Sequence, residues 1–174
     1  VDEAMAKFGR VDVLVNNAGV GTAVPATRET PDQFRSVIDV NLNGPFNVSK
    51  AATPYFREQQ SGSFIHFTST SGLIGNIGQA NYASSKSGLF GLTKTLARES
   101  SFQLAKSGKQ HEDSIGITVN TVTPGLVATD MAAAIPPKAL ERLKAQIPAG
   151  RLGHPDEIAR VVHFLAADAS SYIT

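Results

Sequence analysis

The sequence has no cysteine, which excludes disulfides, thiolate nucleophiles and cysteine-ligated zinc or iron–sulfur centres. It leaves the compartment open, because a secreted chain can also lack cysteine. An excess of one charge is missing too: 16 Lys and Arg face 15 Asp and Glu, a net charge of +1. With no dense basic block, nothing argues for nucleic acid or an anionic membrane surface as a partner. No apolar run approaches the ~20 residues of a membrane span, and the first residues lack the basic-then-apolar order of a secretory leader. The expectation is a cytoplasmic protein. Repeats, low-complexity tracts and an obvious interdomain linker are also missing. His66, His111, His154 and His163 share no metal-ligand spacing, so no metal is expected. No G-x-S-x-G elbow with a following acid and His supports hydrolysis.

What is there is a chain of 174 residues, 41% hydrophobic and 18% charged, the size of one domain with a real core. The runs at 13–15, 64–67 and 115–122 are short, β-branched or aromatic, and bounded by Gly or turn residues; they read as buried strands. Thr30-Pro31-Asp32 predicts an N-cap with proline at the first helical position, opening a helix to about Phe56. Phe34, Val37, Ile38, Leu42 and Phe46 form its inner stripe. A second helix is predicted from near Asn81 to Ser101. A third starts at Pro155-Asp156-Glu157, with Ile158, Val161, Val162 and Leu165 inward. Strands alternating with helices predict an α/β fold, a doubly wound parallel sheet covered on both faces.

Residues 1–8 read as a helix leading straight into the first strand, and 171–174 begin to look extended. Three parallel strands with open edges make a poor isolated domain, so the expectation is one partial domain, 1–174, from the interior of a larger one. Gly72, Gly75 and Gly78 follow a strand but lack the G-x-G-x-x-G spacing of a phosphate loop, and read as a flexible loop. Residues 105–113 are polar and read as an exposed insertion.

The chemistry concentrates in a few positions. Four residues along a helix turn through about 400°, so Tyr82 and Lys86 share a face. That face continues through Leu89, Phe90, Thr93 and Leu96 and is meant for burial, where an uncompensated Lys is costly. A nearby phenol offers a use for the cation: it would stabilise a phenolate and lower the Tyr pKa from about 10, giving a general acid at neutral pH. Ser69 lies at the carboxyl end of a strand, where open α/β sheets place ligands, although a strand-end hydroxyl can also serve only the backbone. Asn41 falls inside an apolar helix stripe, and its amide either holds a relay water or bonds a neighbouring helix. Asn17-Ala18-Gly19 and Pro124-Gly125 give sharp exits from the first and third strands, allowing a flat ligand to approach the backbone.

Asn17-Ala18-Gly19, Asn41, Ser69, Tyr82-x-x-x-Lys86 and Pro124-Gly125 occur in the order and approximate spacing of the short-chain dehydrogenases/reductases, and the chain resembles that family along essentially its whole length. The stretches 78–89, 119–131 and 151–158 look most like 3-oxoacyl-acyl-carrier-protein reductases and acetoacetyl-CoA reductases. The resemblance implies the C-terminal half of a Rossmann-like sheet, without the family's first strands, glycine-rich turn and last strand. It implies an oxidoreductase of 3-oxoacyl thioesters, carried on ACP or CoA, using NADP(H) rather than NAD(H). Tyr82 would be the general acid, Lys86 its activator and the holder of the nicotinamide ribose, Ser69 the group polarising the carbonyl, and Asn41 the carrier of a relay water. Asn17, Ala18 and Gly19 would lie near the adenosine side, with Pro124, Gly125, Val127 and Thr129 also cofactor-binding and Gln79 beside the substrate. Residues 131–147 would form a lid over the acyl group, and helices 30–57 and 80–101 would pair subunits in a homo-oligomer, a dimer or tetramer. Two rivals remain: a short-chain dehydrogenase of a steroid or polyol, and a non-catalytic assembly module.

Overall fold

The structure, a computed structural model, describes residues 1–108 and 116–174. Three parallel strands form one sheet in the order β1 (Val13–Asn16), β2 (Ser61–Phe67), β3 (Gly116–Val122). The register aligns Leu14 with Phe64 and Phe64 with Val119. Alternation along the strands therefore sends these three side chains to one face. There they meet Ala52 and Phe56 of α3 (Gly44–Gln59) and Leu96, Ala97 and Leu104 of α5 (Ala80–Lys106), which build the core. The opposite face carries α8 (Pro155–Ala166), reached by the Ser63 hydroxyl, which donates to the Leu165 carbonyl at 3.5 Å. Helices α1 (Asp2–Phe8), α4 (Ser71–Ile74), α6 (Asp130–Ala133) and α7 (Pro137–Lys144) complete the order, with a 3₁₀ turn at Asp168–Ser170. The α/β architecture with a parallel sheet is the expected one. The polar stretch 105–113 is described only to Gly108; its remainder, with His111 and Ile115, lies outside the described residues.

Thr30 caps α2 (Pro31–Ile38) with a reciprocal pair of bonds to Gln33, and Pro31 occupies the first turn. The helix does not run unbroken to Phe56. Residues Asp39–Asn43 form a π-helical turn before α3 resumes. Pro45 explains the break, since it has no N–H for the Asn41 carbonyl one α-turn back and its ring crowds that oxygen. The expected inner stripe also needs correction. Val37 is buried, but Phe34 and Phe46 are substantially exposed, as is Val161 on α8. Periodicity identifies an apolar face without saying what covers it. Helix α5 outlasts its expected end at Ser101, and the glycine-bearing stretch after β2 is no plain loop. It contains α4, and a Cβ on Gly72 would lie 2.9 Å from the Lys86 backbone carbon. Gly72 thus lets α4 pack directly on α5.

Candidate active site

The loops leaving all three strands emerge at one edge of the sheet. Those after β2 and β3 are joined: Thr68 N–H donates to the Val122 carbonyl at 2.9 Å, Thr70 N–H to the Pro124 carbonyl at 3.2 Å, and the Thr68 and Thr123 hydroxyls lie 2.7 Å apart. Ser69 is buried between these contacts, and its Oγ accepts from Ser71 N–H at 3.2 Å. Pro124 and Gly125 therefore share the edge that carries Ser69.

Tyr82 and Lys86 stand on the first turns of α5, which packs along β3 and α4. The Lys86 ammonium donates to the Phe67 carbonyl at 2.7 Å and lies 5.7 Å from the centre of the Tyr82 ring. It is buried, and burial lowers its pKa to about 8. Tyr82 departs from expectation. Its burial raises the phenol above the ordinary value, and a hydrogen-bonding interaction with Ser69 pulls the other way without prevailing. Sequence spacing places the cation beside the ring but takes no account of how much solvent the phenol loses. Ser69, Tyr82 and Lys86 nevertheless share one site. Two of the three ammonium donors remain after the bond to Phe67, a set suited to paired hydroxyls.

Asn41 acts as a tie. Its Oδ1 accepts from Val20 N–H at 2.8 Å, while Nδ2 donates to the Val20 carbonyl at 2.8 Å and to Ser85 Oγ at 3.1 Å. Both donors of the amide are thus spent, one on the loop after β1 and one on α5. The loop is drawn tightly against the site: a Cβ on Gly19 would sit 3.3 Å from Lys86 Nζ, and one on Gly21 would sit 3.3 Å from the Tyr82 ring. Asn17 and Ala18 are exposed at the same edge. Gln79 precedes α5 and pairs with Val24 in a parallel bridge, Val127 bridges Gly153, and Thr129 is exposed beyond it.

Several contributors escape sequence reasoning. Ser85, fully buried, donates to the Tyr82 carbonyl at 2.8 Å while receiving Asn41. Its place three residues after Tyr82 was the available signal. The Phe67 carbonyl carries no sequence signal, since any residue supplies one. Asn81 and Glu29, which form a hydrogen bond beside Tyr82, stand too far apart in the chain to suggest a pair. Among the described residues no cluster of His, Asp or Glu could hold a metal, and no helix is long and apolar enough to cross a membrane.

A family profile described as enoyl-(acyl carrier protein) reductase matches residues 1–174. The chain is 43% identical over 174 residues to the 3-oxoacyl-(acyl-carrier-protein) reductase FabG of Thermotoga maritima. It is 44% identical over 170 residues to the acetoacetyl-CoA reductase of Shinella zoogloeoides. A 3-oxoacyl-(acyl-carrier-protein) reductase FabG of Staphylococcus aureus is 43% identical over 174 residues. These alignments take in 97–100% of the chain, which spans 66% of each relative's length.

Proposed function

The chain belongs to the short-chain dehydrogenase/reductase family, and we propose that in the whole protein it reduces a 3-oxoacyl thioester to the 3-hydroxyacyl thioester with NADPH. One observation carries the reading: the Lys86 ammonium, held by the Phe67 carbonyl at 2.7 Å, lies 5.7 Å from the centre of the Tyr82 ring at the carboxyl edge of the sheet that also carries the buried Ser69. The relatives' names supply the substrate class, 3-oxoacyl groups on acyl carrier protein or acetoacetyl-CoA.

A nicotinamide cofactor, when bound, would supply the hydride for the substrate's carbonyl carbon. The proton comes from this chain. Ser69 donates to the carbonyl oxygen and polarises it, Tyr82 gives its phenolic proton to that oxygen, and the Lys86 cation stabilises the phenolate left behind. The phenol's raised pKa keeps it protonated at neutral pH, as a donor must be. The two remaining Lys86 donors fit the ribose hydroxyls, and Gly19 leaves room beside them. Asn17, Ala18, Pro124, Gly125, Val127 and Thr129 line the cofactor's side, Gln79 the substrate's, and residues 131–147 cover the acyl group. Asn41 fixes the loop after β1 through its side chain, whose amide is taken up by Val20 and Ser85.

The assembly is proposed to be a homo-oligomer. Val40, Phe46 and Val48 along the α2–α3 helical run and Phe102 on α5 expose large apolar surface, the face a second copy would cover. Sedimentation of the whole protein should show a dimer or tetramer that Phe46→Glu weakens.

The substrate assignment is tested by following NADPH and NADH oxidation in the whole protein. Acetoacetyl-CoA and an acetoacetyl carrier protein are compared with crotonyl-CoA, a steroid ketone and a keto sugar. Turnover of the 3-oxoacyl thioesters with NADPH is expected. Turnover confined to a steroid or sugar, or to the enoyl thioester, would overturn the thioester carbonyl assignment.

A further inference from the structure

Residues 20–29 run from the loop after β1 across the start of α5 and form a wall beside Tyr82. The wall is tied at Val20 by Asn41, and at Val24, whose N–H donates to the Gly78 carbonyl at 2.9 Å. Between and beyond these ties a third is made by one side chain, Asn81. Asn81 is fully buried, and every arm of its amide is used. Its Oδ1 accepts from the Tyr82 N–H, while Nδ2 donates to the Thr22 carbonyl at 3.3 Å and to the Glu29 carboxylate. Glu29 directly precedes Thr30, the cap of α2.

We propose that Asn81 and Glu29 are positioning residues for Tyr82, joined by a charge-assisted hydrogen bond that presses residues 20–29 against its ring. The inference rests on the reading of Tyr82 as proton donor. The same amide that grips the wall also satisfies the Tyr82 backbone N–H, one of the orphan donors of the first helical turn. Wall and helix start therefore move together. Gly21 lies so close to the Tyr82 ring that a Cβ there would stand 3.3 Å from it, and any retreat of residues 20–22 opens space beside the ring. A phenol free to swing away from Ser69 loses the alignment that proton transfer requires. Thr22 and Glu29 lie seven residues apart, so a buried donor pair at Asn81 closes this stretch into a loop. Removing it takes one donor from the Thr22 carbonyl and one from the half-buried Glu29 carboxylate and frees the stretch between them.

The bond can be inverted chemically. Asn81→Asp sets two carboxylates against each other and should lower kcat in the whole protein about 10- to 100-fold, with KM changed far less. Glu29→Gln alone should be mild, since the new amide oxygen still accepts from Asn81. Adding Glu29→Gln to Asn81→Asp gives the introduced carboxylate a donor again and should recover most of the lost kcat. Hydrogen exchange of the whole protein supplies a second readout. The Tyr82 amide and residues 20–29 should exchange faster in Asn81→Asp and slow again in the double variant. Parental kcat in Asn81→Asp, or a double variant no better than Asn81→Asp in both measurements, would overturn the proposal. Should Tyr82→Phe keep parental turnover, the proton-donor reading falls, and the positioning role with it. In that event exchange would still report whether the Asn81–Glu29 tie exists.

Discussion

The Lys86 ammonium donates to the Phe67 carbonyl at 2.7 Å, so the last residue of β2 fixes the cation beside the Tyr82 ring. Burial brings the Lys86 pKa down to about 8 and moves the Tyr82 phenol upward. The proposed reduction needs both groups protonated. Its rate should therefore be level at pH values below about 8 and fall as pH rises through about 8, where Lys86 is the first of the two to lose its proton. A profile of kcat/KM against pH checks this, and Lys86→Met should lower the rate and remove the limb. An unbroken plateau well into the alkaline range would contradict it.

A buried chain of polar groups joins β1 to α5. Asn16 Nδ2 donates to Ser49 Oγ at 3.1 Å, and Ser49 Oγ lies 3.3 Å from His66 Nε2. His66 Nδ1 lies 2.8 Å from Thr93 Oγ1, and the Thr93 hydroxyl donates to the Leu89 carbonyl at 2.8 Å. With the Thr93 proton committed, His66 must donate from Nδ1 and accept at Nε2, the neutral tautomer. Burial lowers its pKa from 6.5 to about 4. Between those values the unfolded chain binds the proton and the folded one does not. The stability gained is whole above about pH 6.5 and drains away as pH falls toward 4, about 3 kcal/mol in all. Denaturant titrations from pH 7 to pH 4 should show this slope, and His66→Gln should flatten it. An equal slope in the variant would assign the loss to other groups.

Two glycines should fail in different ways. A Cβ on Gly62 would fall 2.3 Å from the Phe56 ring, inside the core, whereas one on Gly19 would meet Lys86 Nζ at 3.3 Å. Gly62→Ala should destabilise the fold by about 1–3 kcal/mol through overpacking. Gly19→Ala should leave the melting temperature nearly unchanged and lower turnover by displacing the ammonium. Melting curves and kinetics of both variants separate the two effects.

Much of this was legible in the chain. The β-branched runs gave the strands, Thr30-Pro31 gave the start of α2, and the four-residue step from Tyr82 to Lys86 placed both at one site. The π-helical turn before α3 was not, because Pro45 acts on a carbonyl whose position depends on the helix already being formed. Asn41 stood out as an amide in an apolar stripe, but its partner Val20 offers only backbone atoms, which no residue type announces. The exposure of Phe34 and Phe46 depends on what packs beside them, and the direction of the Tyr82 shift on how deeply the ring is covered. Such quantities belong to the assembled fold.

The most direct measurement compares Tyr82→Phe with the parent in the whole protein, following reduction of acetoacetyl-CoA at saturating NADPH. Removing one oxygen from a ring that keeps its packing should leave the melting temperature almost unchanged and lower kcat about 10²- to 10⁴-fold, the usual worth of a positioned acid. Parental turnover in the variant would show that the proton comes from elsewhere.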